Sequence, residues 1–121
     1  QVIIMKAVKD ENGDMVNTPF KITARYQMCG YEMFDSLKVD EDDNCYIAVM
    51  YGGRILVVNK LGVPVGNVII KNREFGEKRM TSNVAIKPGT NEGYLVTSDE
   101  SGSYIYTFPT LAKAMKLFSD L

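Results

Sequence analysis

The sequence predicts an all-β protein, and three observations predict it. Apolar, β-branched and aromatic runs of strand length recur along the 121 residues, from VIIMKAV through LKV, CYIAVM, RILVVN and VGNVII to NVAI, YLVTS and SYIYTF. Between them lie DENGD, DEDDN, MYGG, NKLG, KPGTNEG and SDESG, clusters of Gly, Asn, Asp and Pro that favour turns. The pieces also repeat: Gly13 and Gly62 lie 49 residues apart, as do Asp10 and Asn59, while Tyr46 and Tyr94 are 48 apart and Val39 and Ile86 are 47 apart. Gly53 and Gly102 continue the series at 49. Short connections return a chain antiparallel to itself, so the expected topology is a meander.

A repeat of this length holding four antiparallel strands is the period of propeller blades. Read in phase, residues 1–30 are the end of one blade, with VIIMKAVKD and PFKITARY as its last two strands. Residues 31–71 form a full blade whose innermost strand starts at Asp35, and residues 72–121 form a second one starting near Thr81. The basic stretch KNREFGEKRM is the crossover between the two, a solvated loop by default. LAKAMKLF has a helix-favouring composition, but its repeat position calls for an outer strand, and it is assigned so. About two and a half blades leave open sheet faces and edges. Either missing N-terminal blades cover them, or copies of the chain associate. The apolar start QVIIM, with no lead-in, reads as a piece that begins mid-structure.

Composition narrows the chemistry. Fourteen basic and fifteen acidic residues give a net charge of −1, with the basic residues scattered, so there is no footprint for nucleic acid. No apolar run approaches the roughly 18 residues of a membrane span, which argues against a membrane partner, and the expected location is cytoplasmic. The chain has no histidine, which removes imidazole bases and imidazole metal ligands. Cys29 and Cys45 lack metal-site spacing and read as buried small hydrophobes. What remains is chemistry on carboxylates, amides and hydroxyls, with room for a hard metal ion.

Several local features have ordinary readings. The acidic run from Asp40 to Asn44 lacks the Gly and distal Glu of a calcium loop and reads as a hairpin turn. Gly52, Gly53 and Arg54 enter a strand rather than open a helix, which makes them a turn and not a phosphate loop. Tyr46, Tyr94, Tyr104 and Tyr106 sit at strand periodicity and are expected to pack between blades. Asp35 has two readings, a strand-start residue bonding nearby backbone N–H groups or a site residue. By the repeat its equivalent is Ser82, four residues before Ile86 as Asp35 is four before Val39.

The run FDSLKVDEDDNCYIAVMYGGRILVVNKLGVPVGNVIIKNRE, followed by MTSNVAIKPGTNEGYLVTSDESGSYIYTF, resembles the C-terminal part of the gluconolactonase/regucalcin family, closest to its bacterial drug-responsive lactonase branch. The family pattern is a P-D-S or P-D-G start, a D-x-x-G/D-N turn, a Y/W-V-A strand, a G-G-R turn and a T-S/T-N strand start. Phe34 stands where the family usually has Pro. The resemblance implies a six-bladed propeller that hydrolyses lactones to hydroxy acids with one divalent metal, usually calcium, at the channel mouth. It implies that Asp35 is a metal ligand and catalytic residue, the companion Glu and Asn ligands lying outside this chain. Ser82 and Asn83 would be substrate-channel residues. The competing reading is a non-catalytic β-sheet module that self-associates or docks on a partner through its open edges.

Overall fold

The computed structural model describes residues 2–6, 10–13, 21–27, 32–70 and 80–116. The described residues are all-β, with nine strands and no helix. Strands β1 (Val2–Lys6) and β2 (Lys21–Tyr26) form one antiparallel pair. Strands β3 (Met33–Val39), β4 (Cys45–Met50), β5 (Arg54–Val58) and β6 (Pro64–Ile69) form a four-stranded meander in that order. Strands β7 (Met80–Ile86), β8 (Glu92–Asp99) and β9 (Gly102–Pro109) form a three-stranded one. Every pairing is antiparallel, as the short turns require.

The turns carry the repeat into three dimensions. The Asp10 carboxylate accepts the Asn12 N–H at 2.9 Å and its carbonyl accepts the Gly13 N–H at 3.0 Å. In the next repeat the Asn59 side chain accepts the Leu61 N–H at 3.0 Å and its carbonyl accepts the Gly62 N–H at 2.8 Å. Gly13 and Gly62 have φ of 84° and 80°, the left-handed region in which a side chain is disfavoured. One turn is built twice, 49 residues apart, from an Asx side chain and a glycine.

Side chains alternate along β4 and β5, yet both of their faces are buried, because the middle sheet lies between the other two. Tyr46, Ala48, Ile55 and Val57 meet Val84, Leu95 and Phe108 of the third sheet. On the opposite face Cys45, Ile47, Val49, Leu56 and Val58 pack with Phe34, Val39 and Tyr26. The Tyr26 and Phe34 rings are 6.2 Å apart, so Phe34 fills the inter-sheet space. Burying a side chain of this size contributes about 1.5–3 kcal/mol, which makes these two layers the main source of stability.

Three expectations change. LAKAMKLF adds no fourth strand to the third sheet. Pro109 ends β9, and the chain turns back to the preceding sheet, where Leu111 N–H donates to the Tyr46 hydroxyl at 2.7 Å and Ala114 forms a bridge with Asp40. Its backbone groups are thus shared between the Asp40–Glu41 turn of the middle sheet and the β7–β8 turn at Thr90 and Asn91, instead of pairing with β9; residues 117–121 lie outside the described residues. Asp35 does not precede its strand but lies inside β3. Tyr104 is exposed and its hydroxyl meets Ser101, while Tyr46 and Tyr106 do pack between sheets. Cys45 is buried as expected; Cys29 and the crossover 71–79 fall outside the described residues.

Candidate functional site

The register of β3 and β7 holds the feature that organises the site. In β3, Phe34 pairs with Val49 and Leu37 with Ile47, so Asp35 and Ser36 together oppose Ala48. In β7, Thr81 pairs with Thr97 and Asn83 with Val96, which leaves Ser82 as an extra residue. Both strands therefore carry a β-bulge at the same place in the repeat. A bulge re-aims side chains and is a frequent neighbour of functional sites. Its trace is visible in the sequence: apolar residues fall at 34, 37 and 39, a spacing of three and then two where a regular strand would give twos. The same break separates the buried Thr81 from Val84 and Ile86, with a threonine in place of the first apolar residue. Reading only the aligned positions of Asp35 and Ser82 misses it.

The two bulges touch. Strand β7 packs beside β3, and the Ser36 hydroxyl donates to Asn83 Oδ1 at 2.8 Å. The same Oδ1 accepts the Val84 N–H at 2.8 Å. Asp35 is exposed beside this link, Ser36 and Ser82 are half-buried, and Asn83 is exposed. The structure thus brings the bulges carrying Asp35 and Asn83 together, joined through Ser36, a residue that the sequence reading had not singled out.

As donors to a metal the Asp35 carboxylate and the serine hydroxyls are oxygen ligands, which suits a hard cation such as calcium and not a thiolate- or imidazole-seeking ion, while Asn83 Oδ1 is already engaged by two hydrogen bonds. Calcium takes about six to eight oxygens, so the set fits as part of a site. Among the described residues no three His, Cys, Asp or Glu side chains gather as a metal site. Glu32, near the start of β3, is engaged elsewhere: Arg54 Nη2 holds its carboxylate at 2.8 Å, and Arg54 Nη1 donates to Asn67.

The acidic turn is structural. Asp40 is fully buried, and its carboxylate accepts from the Asp42 and Asn44 N–H groups, the Asn44 side-chain amide and the Tyr46 hydroxyl at 2.9–3.1 Å. A buried carboxylate is tolerated when each oxygen is hydrogen-bonded in this way. Burial first, and then the hydrogen bond to Asp40 and its charge, push the Tyr46 phenol up to about 12, against the opposing pull of the Leu111 N–H. Burial alone pushes the Cys45 thiol up to about 11, which keeps it in the unreactive thiol form at neutral pH.

A stack of antiparallel sheets with a carboxylate and hydroxyl donors on paired bulges is the class of architecture that the geometry defines. No family model matches the chain. Among curated proteins it is similar to Lactonase drp35 of Staphylococcus epidermidis (strain ATCC 12228 / FDA PCI 1200), 36% identical over 113 residues, which is 89% of this chain and 35% of that protein. Lactonase drp35 of Staphylococcus haemolyticus (strain JCSC1435) is 37% identical over 108 residues, covering 85% of this chain and 33% of the relative. The Staphylococcus aureus (strain MRSA252) protein of the same name is 35% identical over 111 residues, covering 89% and 34%. The likeness to drug-responsive lactonases read from the sequence is borne out, and the chain spans about a third of the length of these relatives.

Proposed function

We propose that the chain is the C-terminal portion of a calcium-dependent lactonase built as a six-bladed propeller. The observation that carries this reading is the 36% identity to Lactonase drp35 over 89% of the chain, a match in which Asp35 falls on an exposed bulge. Asp35 is one metal ligand and a catalytic carboxylate, with further ligands supplied by other blades. Ser82 and Asn83 line the channel mouth. Bound calcium would polarise the lactone carbonyl. Asp35 takes a proton from the water whose oxygen attacks the carbonyl carbon, and returns it to the ring oxygen as the C–O bond breaks, leaving a hydroxy acid. Further blades also account for one open face: Tyr94, Val96 and Ile105 occupy the positions that Tyr46, Ala48 and Ile55 hold in the middle sheet, and Ile105 is 70% exposed.

The test is lactone hydrolysis by the full natural polypeptide with and without added calcium. Activity is expected to require calcium and to fall at least about a hundredfold in Asp35→Asn, the loss typical of an acid-base group. Wild-type activity that ignores both calcium and the substitution would sink the reading, and an inactive but stably self-associated protein would favour the docking module instead.

A further inference from the structure

We propose that Asn83 is a positioning residue that holds the Asp35 bulge in place through Ser36; the catalytic consequence rests on the lactonase reading, the positioning itself does not. A bulge leaves its extra residue out of the hydrogen-bond ladder, so the backbone around Asp35 and Ser36 lacks the regular restraint that the rest of β3 has. The tertiary link Ser36 Oγ to Asn83 Oδ1 at 2.8 Å ties that segment to the neighbouring sheet, 47 residues further along the chain. The orientation of the Asn83 amide follows from chemistry. The Val84 backbone N–H can only donate, so the atom that it meets at 2.8 Å is the amide oxygen. Facing that oxygen, the Ser36 hydroxyl must spend its proton on Asn83. Asn83 thus anchors to its own strand with the same atom that captures Ser36, and one side chain couples the two bulges. A carboxylate is useful to a metal or to water only if held within a fraction of an ångström, which is the part a supporting hydrogen bond plays.

The experiment compares wild type with Asn83→Leu, Asn83→Asp and Ser36→Ala in the full natural polypeptide. Two readouts are taken: backbone hydrogen exchange at residues 35–37, and kcat and KM for a lactone with calcium present. Asn83→Leu should raise exchange at 35–37 about tenfold, and at Val84, whose N–H loses its acceptor, while the other residues of β3 and β7 stay protected; it should lower kcat on the order of tenfold with a smaller change in KM. Asn83→Asp keeps an acceptor oxygen and should restore exchange protection. Ser36→Ala, combined with Asn83→Leu, should cost little more exchange protection than either change alone, because both break one link. Should Asn83→Leu fail to fold, Ser36→Ala decides alone by its exchange at 35–37. Unchanged exchange at 35–37, or losses of protection that multiply in the double variant, would overturn the proposal. If exchange responds as expected while wild type shows no calcium-dependent hydrolysis, the lactonase reading fails and the positioning role stands.

Discussion

At the scale of single residues, stability rests on a few tight contacts that composition does not reveal. Gly93 of β8 pairs with Phe108 of β9, and a Cβ at Gly93 would lie 2.5 Å from the Phe108 ring. The ring covers the bare glycine backbone, so this position needs the absence of a side chain rather than a special φ. Gly93→Ala is expected to destabilise the fold by about 1–3 kcal/mol, the usual cost of overpacking, as read by urea denaturation. An unchanged midpoint would mean that the ring moves aside freely. Tyr46 shows the complementary point. Its strand periodicity marks it as a packing residue, and it does pack, but its hydroxyl also joins Asp40 to the Leu111 backbone, a partner 65 residues away.

At the scale of the strand, the repeat is legible from offsets, whereas the bulges show only as a break in the apolar spacing that an offset alignment passes over. Alternating runs and Asx-Gly turns define the meander because those signals are local, and the Asp10 and Asn59 turns form the same bonds in both copies. A bulge inserts one residue into that alternation, so a reading that aligns positions by offset places Asp35 at a strand start when it belongs inside β3. The end of the chain misleads for another reason: residues 110–116 bond backbone groups of Glu41 in the middle sheet and of Thr90 in the β7–β8 turn, tertiary contacts that local propensity does not encode. Beside the β7 bulge, Thr81 and Thr97 face each other in register, both fully buried, and neither hydroxyl has a hydrogen-bond partner among the described residues. A buried polar group left unpaired costs about 1–3 kcal/mol, so Thr97→Val should raise the melting temperature. A lower one would show that the hydroxyl is satisfied in solution.

At the scale of the whole molecule, burial couples stability to alkaline pH. Cys45 moves from its ordinary 9.0 up to about 11, and Tyr46 from 10.0 up to about 12, both chiefly by burial. A raised pKa in the folded state means that folding favours the protonated form. Stability from these groups is fully present below about pH 9 and is lost as pH rises through about 11 for Cys45 and about 12 for Tyr46. Melting temperature should therefore fall between pH 9 and 12, and Cys45→Val should blunt the earlier part of that fall. A flat profile, or the same fall in the variant, would contradict the assignment. Both groups lie in the central sheet, so their titration acts on the layer that joins the other two.

The sequence by itself determined the strand meander, the turn chemistry, the repeat and the likeness to lactonases, because each is written in short-range patterns or in residue identity. It also marked Asp35, Ser82 and Asn83 as equivalent or adjacent positions in successive repeats. Only the tertiary structure decided that two bulges sit side by side, that Ser36 bridges them, that Asp40 is buried, and that the final segment crosses to the preceding sheet. Each of these depends on which sheets pack together, a relation between residues roughly fifty or more apart that no local pattern encodes.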